Sequence, residues 1–329
     1  MGSELSPRHP RRGLREEDLR VRALVEAPRH PFPSPVSRVL RGGDGVGVRP
    51  DRVVELRNVH AKYVTSERWI VENVTLSASK GEMLVLMGPS GCGKSTLLNV
   101  IAGRLPGVIP GVVEGEVIVD GVNPVKQGFR SLAGRVGIVY QNPEIQIVTR
   151  SVYEELAMAP ENLGLPKEEV ISRVEWALDA LGLRGYEDKD PQNLSGGEKQ
   201  LMAIASVLTM KPKLLLLDEP TSMLDHTGTG MVLRAITTLK EEYGLTIIAA
   251  EHRVEWAVDV ADKVYLMADG RIVTGGTPDE VFSDVETVTK LGVRPPGVTE
   301  IAYELYRRGF NVGFPVRLKD FEKILGGVP

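Results

Sequence analysis

The chain has 329 residues, is 42% hydrophobic and carries a formal net charge of -4. That length holds a full α/β domain with appendages, and the mildly acidic balance gives no electrostatic reason for the molecule to coat DNA or RNA, so no nucleic-acid partner is expected. The single cysteine, Cys92, excludes an internal disulfide and a cysteine-based metal site and fits the cytosol.

Residues 1–52 are crowded with Arg, Pro, Gly and Ser, with one helical-looking piece from Leu14 to Leu24, and predict a largely disordered extension. From Val53 the pattern changes to short β-type runs, Val53 to Leu56, Ile70 to Leu76 and Val112 to Val119, punctuated by turn residues, which predict an antiparallel sheet. Leu84 to Met87, Leu214 to Leu217, Thr246 to Ala250 and Val264 to Met267 are apolar without alternation, as strands buried on both faces of a parallel sheet are. None of these runs approaches the roughly 20 apolar residues that span a bilayer. Between Leu84 to Met87 and Leu214 to Leu217, about 142–210 reads as a mainly helical insertion into this α/β core. Within it Val170, Val174, Leu178 and Leu181 form one apolar stripe along a helix expected over Lys167 to Leu183. Residues 278–329, with helical pieces around Val298 to Arg308 and Leu318 to Leu325, read as a small C-terminal appendage.

Gly88-Pro89-Ser90-Gly91-Cys92-Gly93-Lys94-Ser95-Thr96 follows the strand Leu84 to Met87 and precedes a helical run, Leu97 to Leu105, which is the context a phosphate-binding loop requires. Its glycines let successive N–H groups point inward at a phosphate, and the helix N-terminus adds its positive end. Lys94 then reaches the β- and γ-phosphates, and the Ser95 hydroxyl is placed for Mg²⁺. Cys92 is either a small packing side chain or a redox-sensitive thiol.

Leu214 to Leu217 runs into Asp218-Glu219-Pro220, two carboxylates at the end of a buried strand, where a doubly wound sheet binds its ligands. Asp218 suits Mg²⁺, and Glu219 suits the general base that orients the attacking water. Leu194-Ser195-Gly196-Gly197-Glu198-Lys199-Gln200 has two readings. Ser195 with Glu198 three residues on is a capping box. The Gly196-Gly197 pair costs helix propensity of about 1 kcal/mol per glycine, which backbone approach to a phosphate explains.

Phosphate loop, Leu-Ser-Gly-Gly-Glu and Asp-Glu strand, in that order, resemble the ATP-binding cassette (ABC) ATPases over about 53–277. The resemblance implies a P-loop core of mostly parallel sheet flanked by helices, with an antiparallel β subdomain and a helical subdomain. It also implies that Tyr63 stacks on adenine from a loop, that Gln141 touches Mg²⁺ and the attacking water, and that His252 senses the γ-phosphate. Asp225 would belong to a loop facing a partner, and residues Ser195 to Glu198 would contact ATP held by a second ATPase subunit, identical or paralogous. Glu198 replaces a commoner glutamine, Leu201 a frequent arginine, and His226 a usual proline, which puts interface contacts in doubt but removes no catalytic group.

Gln141 to Val148, Ser151 to Ala157, Ala250 to Arg253 and Leu291 to Pro296 resemble the ATPases of energy-coupling factor transporters, which take up vitamins and cobalt or nickel ions. That implies a transmembrane coupling subunit, a substrate-capture membrane subunit, and a peripheral position on the cytoplasmic face. Glu144 and Glu154 are candidate contacts for the coupling subunit. The rival readings are a conventional ABC importer or exporter, and an ABC ATPase acting on nucleic acid or ribosomes.

Overall fold

The computed structural model describes residues 51–310 and 312–326. The N-terminal extension, with the helical piece expected at Leu14 to Leu24, lies outside the described residues. Two sheets organise the rest. In the first, β1 (Arg52–Tyr63) pairs antiparallel with β2 (Val71–Ser79) on one side and β4 (Gly111–Val119) on the other. β1 runs past the expected end at Leu56 because a bulge at Asn58 (φ 49) breaks the alternation without ending the strand, and pairing resumes from Val59. Tyr63 is therefore the last residue of a strand rather than part of a loop.

The second sheet has the order β5, β6, β7, β3, β8, β9, comprising β5 (Val136–Val139), β6 (Leu214–Asp218), β7 (Thr246–Ala250), β3 (Met83–Met87), β8 (Lys263–Ala268) and β9 (Arg271–Gly276). All neighbours are parallel except β9 on β8. The central strands lack alternation because each feeds two cores. Met83, Val85 and Met87 point to the helical side with Leu215 and Ile247; Leu84 and Leu86 point to the antiparallel sheet with Leu216 and Ile248.

Helix α1 (Lys94–Ile101) packs in the core between the sheets, and it ends at Ile101 rather than Leu105. On the other face lie α2 (Val152–Asn162), α3 (Lys167–Ala180), α4 (Gly196–Leu208) and α5 (His226–Glu241). The expected stripe Val170, Val174, Leu178 and Leu181 is buried there, although α3 stops at Ala180 and Leu181 follows it in a turn. After the short α6 (Val254–Val260) and the β8–β9 hairpin come α7 (Pro278–Phe282), α8 (Val285–Lys290), α9 (Gly297–Arg307) and α10 (Leu318–Gly326). Arg317 ties the start of α10 back, bonding to Asp279 at 2.6 Å and to the Val258 carbonyl at 3.0 Å. Among the described residues no helix is long and apolar enough to cross a membrane.

Candidate nucleotide site

Parallel register sets the site. Leu86 and Asp218 both pair with Ala250, so β6, β7 and β3 end side by side, and the residues following each strand meet at one edge. From β3 the chain enters the loop Gly88 to Gly93 and then α1. Gly88 (φ 147) permits this exit, since a Cβ there would stand 2.1 Å from the Met267 carbonyl oxygen. Pro89, Ser90 and Gly91 are exposed, and the first turn of α1 carries no acidic residue and no side-chain cap. Its first-turn N–H groups and the positive helix end thus suit an anion. The buried Lys94 Nζ donates to the carbonyls of Gly88 (2.8 Å) and Pro89 (3.2 Å), holding its charge at the loop. Cys92 is buried, and burial pushes its thiol up despite the nearby Lys94, which makes it a packing side chain rather than a ready nucleophile. Half-buried Tyr63 reaches the same helix, its hydroxyl 3.0 Å from Thr96 Oγ1.

Across from the loop, Ser95 Oγ donates to Asp218 Oδ1 at 2.8 Å. Burial pushes the Asp218 carboxyl up; the Ser95 bond opposes this, and Glu219 reinforces it. Glu219 itself adopts a left-handed backbone (φ 49), uncommon for a residue with a side chain, while its N–H still bonds to Ala250 O at 3.0 Å. That twist marks the point where the chain leaves the sheet. Its carboxylate is held from both sides, by Gln141 Nε2 at 3.1 Å and by His252 Nε2 at 2.9 Å. Gln141, Glu219 and His252, from the ends of three adjacent strands, are thus brought together beside the Ser95–Asp218 pair.

The signature segment forms its own network. Ser195 caps α4 in a full capping box, and Glu198 Oε2 accepts from both the N–H and the hydroxyl of Ser195 at 2.7 Å. Glu198 Oε1 accepts from the Tyr186 hydroxyl at 2.7 Å, and Lys189 Nζ sits 3.3 Å from the centre of that ring. Tyr186 first, then Ser195, hold the Glu198 carboxyl down at about 2. Gly197 has a reason beyond phosphate approach: a Cβ on it would stand 2.7 Å from Gly228 Cα in α5. Asp225 caps α5, accepting from Gly228 N at 2.7 Å. Ser195 and Gly196 are exposed, and among the described residues no hydrogen bond joins this segment to the phosphate loop. Glu144 pairs with Lys199 at 2.7 Å, and Glu154 accepts from Arg150 N at 3.2 Å, so both are engaged within the chain.

Sequence reasoning gives no role to Tyr186, Gly228, Thr221 or Glu251. The signal for Glu251 was available: it ends the apolar run Thr246 to Ala250 as Asp218 ends Leu214 to Leu217.

A strand, a glycine-rich loop cradled by a helix N-terminus, and carboxylates ending the next strand but one in the same sheet define a P-loop nucleotide hydrolase. The ABC transporter family profile matches residues 71–222. A putative ABC transporter ATP-binding protein of Pyrococcus abyssi is 45% identical over 259 residues, 79% of this chain and 92% of that protein. The energy-coupling factor transporter ATP-binding protein EcfA of Methanocaldococcus jannaschii is 41% identical over 271 residues, 79% of this chain and 94% of that protein. Among solved structures, cbiO1 from Clostridium perfringens, part of the ABC transporter complex cbiONQ, superposes with a TM-score of 0.65 at 30% identity, covering 79% of this chain and 98% of that one. A dimeric ATP-binding cassette in a post-hydrolysis state with ADP and Pi gives 0.59 at 28% identity, covering 68% and 98%. The chain belongs to the ATP-binding subunits of ABC transporters, and it is an ATPase.

Proposed function

We propose that this ATPase energises a membrane importer of the energy-coupling factor type, for a vitamin or a transition-metal ion, by ATP-driven closure of two cassettes. The observation that carries the reading is the division of the site. Lys94, Ser95, Asp218 and Glu219 gather at the sheet edge, whereas the segment Ser195 to Glu198, exposed at Ser195 and Gly196, starts a separate helix and makes no hydrogen bond to them among the described residues. Such a division suits a nucleotide held by the phosphate loop of one cassette and by the signature of the other, with Asp225 on the facing loop. The likeness to EcfA and to a cbiONQ component supports the energy-coupling factor assignment.

In this reading residues Gly88 to Thr96 hold the triphosphate of ATP and Tyr63 stacks on its adenine. Glu219 takes the proton of the attacking water while Gln141 and His252 fix its carboxylate, His252 also meeting the γ-phosphate. The hard oxygen donors of Ser95 and Asp218, 2.8 Å apart at the loop, fit Mg²⁺ completed by substrate phosphates and water, with Gln141 as the further ligand. Bound there, Mg²⁺ supplies charge neutralisation on the phosphate oxygens. A groove of about 410 Å³ is lined by Thr149, Tyr153, Glu154 and Met158, and the chain just before it carries the exposed Ile145 and Val148. It suits a transmembrane coupling subunit, with a separate membrane subunit capturing the solute and the cassettes peripheral on the cytoplasmic face.

Glu219→Gln tests the catalytic part. Measured by light scattering in Mg-ATP, the variant is expected to bind ATP, hydrolyse it very slowly and accumulate as a pair. Parental turnover would remove Glu219 from the role of base.

A further inference from the structure

One buried carboxylate has no part in the reaction as described. Glu251 is 1% exposed, at a strand end where an apolar residue would complete the core. Burying a carboxylate is costly unless its oxygens are satisfied, and here they are satisfied in a particular way. Oε1 accepts from the backbone N–H of His252 at 2.8 Å and of Arg253 at 3.2 Å. Oε2 accepts from the Thr221 hydroxyl at 2.8 Å, and Thr221 is fully buried two residues beyond Glu219. The side chain thus joins the turn that carries His252 to the loop that follows Glu219. Arg253 repeats the tie further along, donating to Thr229 Oγ1 at 2.8 Å and to the Leu224 carbonyl at 3.4 Å.

We propose that Glu251 is a positioning residue for ATP hydrolysis: its carboxylate locks the His252 turn to Thr221, so that His252 meets Glu219 only while the loop from Thr221 to Asp225 is in place. Glu219 leaves its strand in a left-handed conformation that local sequence does not favour, so its direction depends on what holds the following loop. Through Thr221 and Leu224 that loop is fastened to the turn bearing the residue Glu219 must contact. A partner cassette pressing on Leu224 and Asp225 would therefore act on the 2.9 Å contact between His252 and Glu219 without touching either.

The test is steady-state ATPase of the full-length chain, reading kcat and the KM for ATP separately. Thr221→Val keeps the shape and removes the hydroxyl. It is expected to lose kcat about tenfold, within the roughly hundredfold that a 1 Å misplacement costs. Its KM is expected to change by no more than about twofold, since the phosphate loop is untouched. Thr221→Ser is expected to recover most of the turnover. Glu251→Ala should fall at least as far, and Thr221→Val should cost nothing further in that background, because members of one network do not add. If Glu251→Ala does not fold, Thr221→Val decides alone. Parental turnover in Thr221→Val overturns the proposal, as does a loss that multiplies with Glu251→Ala. The proposal rests on Glu219 as the base, so Glu219→Gln is measured alongside. A near-inactive Glu219→Gln with a parental Thr221→Val sinks only the clamp, whereas a fully active Glu219→Gln sinks both.

Discussion

Replacing Gly197 by alanine separates two roles of the signature glycines. A Cβ at Gly197 would lie 2.7 Å from Gly228 Cα and 3.6 Å from its carbonyl carbon, all backbone atoms that no rotamer change can move. Helices α4 and α5 must part by roughly 0.7 Å to restore ordinary contact. Overpacking of this kind costs about 1–3 kcal/mol, and alanine's better helix propensity returns about 1 kcal/mol at most. At about 2–4 °C per kcal/mol, Gly197→Ala should melt a few degrees below the parent. Gly196→Ala meets only the end of the Leu224 side chain, at 3.3 Å, and should melt with the parent or slightly above it. Both variants should lose ATPase turnover if the bare N–H groups of this turn meet a γ-phosphate. Melting curves and turnover of the two variants check this, and a Gly197→Ala protein as stable as Gly196→Ala would refute the packing argument.

Two further outcomes are expected. Glu198 has a folded pKa of about 2 against an ordinary 4.5, so its contribution to stability is complete above pH 4.5 and is lost as pH falls towards 2. Tyr186→Phe removes the largest cause of that depression, and in urea unfolding followed by circular dichroism across this pH range the loss should be smaller than in the parent and end at a higher pH. Tyr63→Ala should raise the KM for ATP about tenfold, since stacking of a base on an aromatic ring is worth about 1–3 kcal/mol. Tyr63→Phe, which loses only the Thr96 bond, should keep a near-parental KM in the same ATPase assay.

The strands that were legible are those whose environment is simple. Leu214 to Leu217 and Thr246 to Ala250 are buried on both faces, so their apolar runs are unbroken. β5 escaped notice because Gly137 interrupts it, and that glycine makes room for Val207 of α4, a contact far away in the chain. β9 escaped because it is an edge strand, alternately exposed and ending in two glycines. The phosphate loop, the Asp218-Glu219 pair and the capping box are local patterns and could be read directly. What stayed hidden depends on distant pairing: Gly197 against Gly228, Tyr186 against Glu198, and Glu251 against Thr221. The resemblance to ABC ATPases brought Gln141 and His252 to the site, and the geometry adds that both grip one carboxylate.

The composition of what a tagged full-length chain carries out of solubilised membranes in Mg-ATP tests the transporter reading most directly. A second cassette together with integral membrane proteins, identified by mass spectrometry, is the predicted result. Recovery of ribosomes or nucleic acid with no integral membrane protein would contradict it.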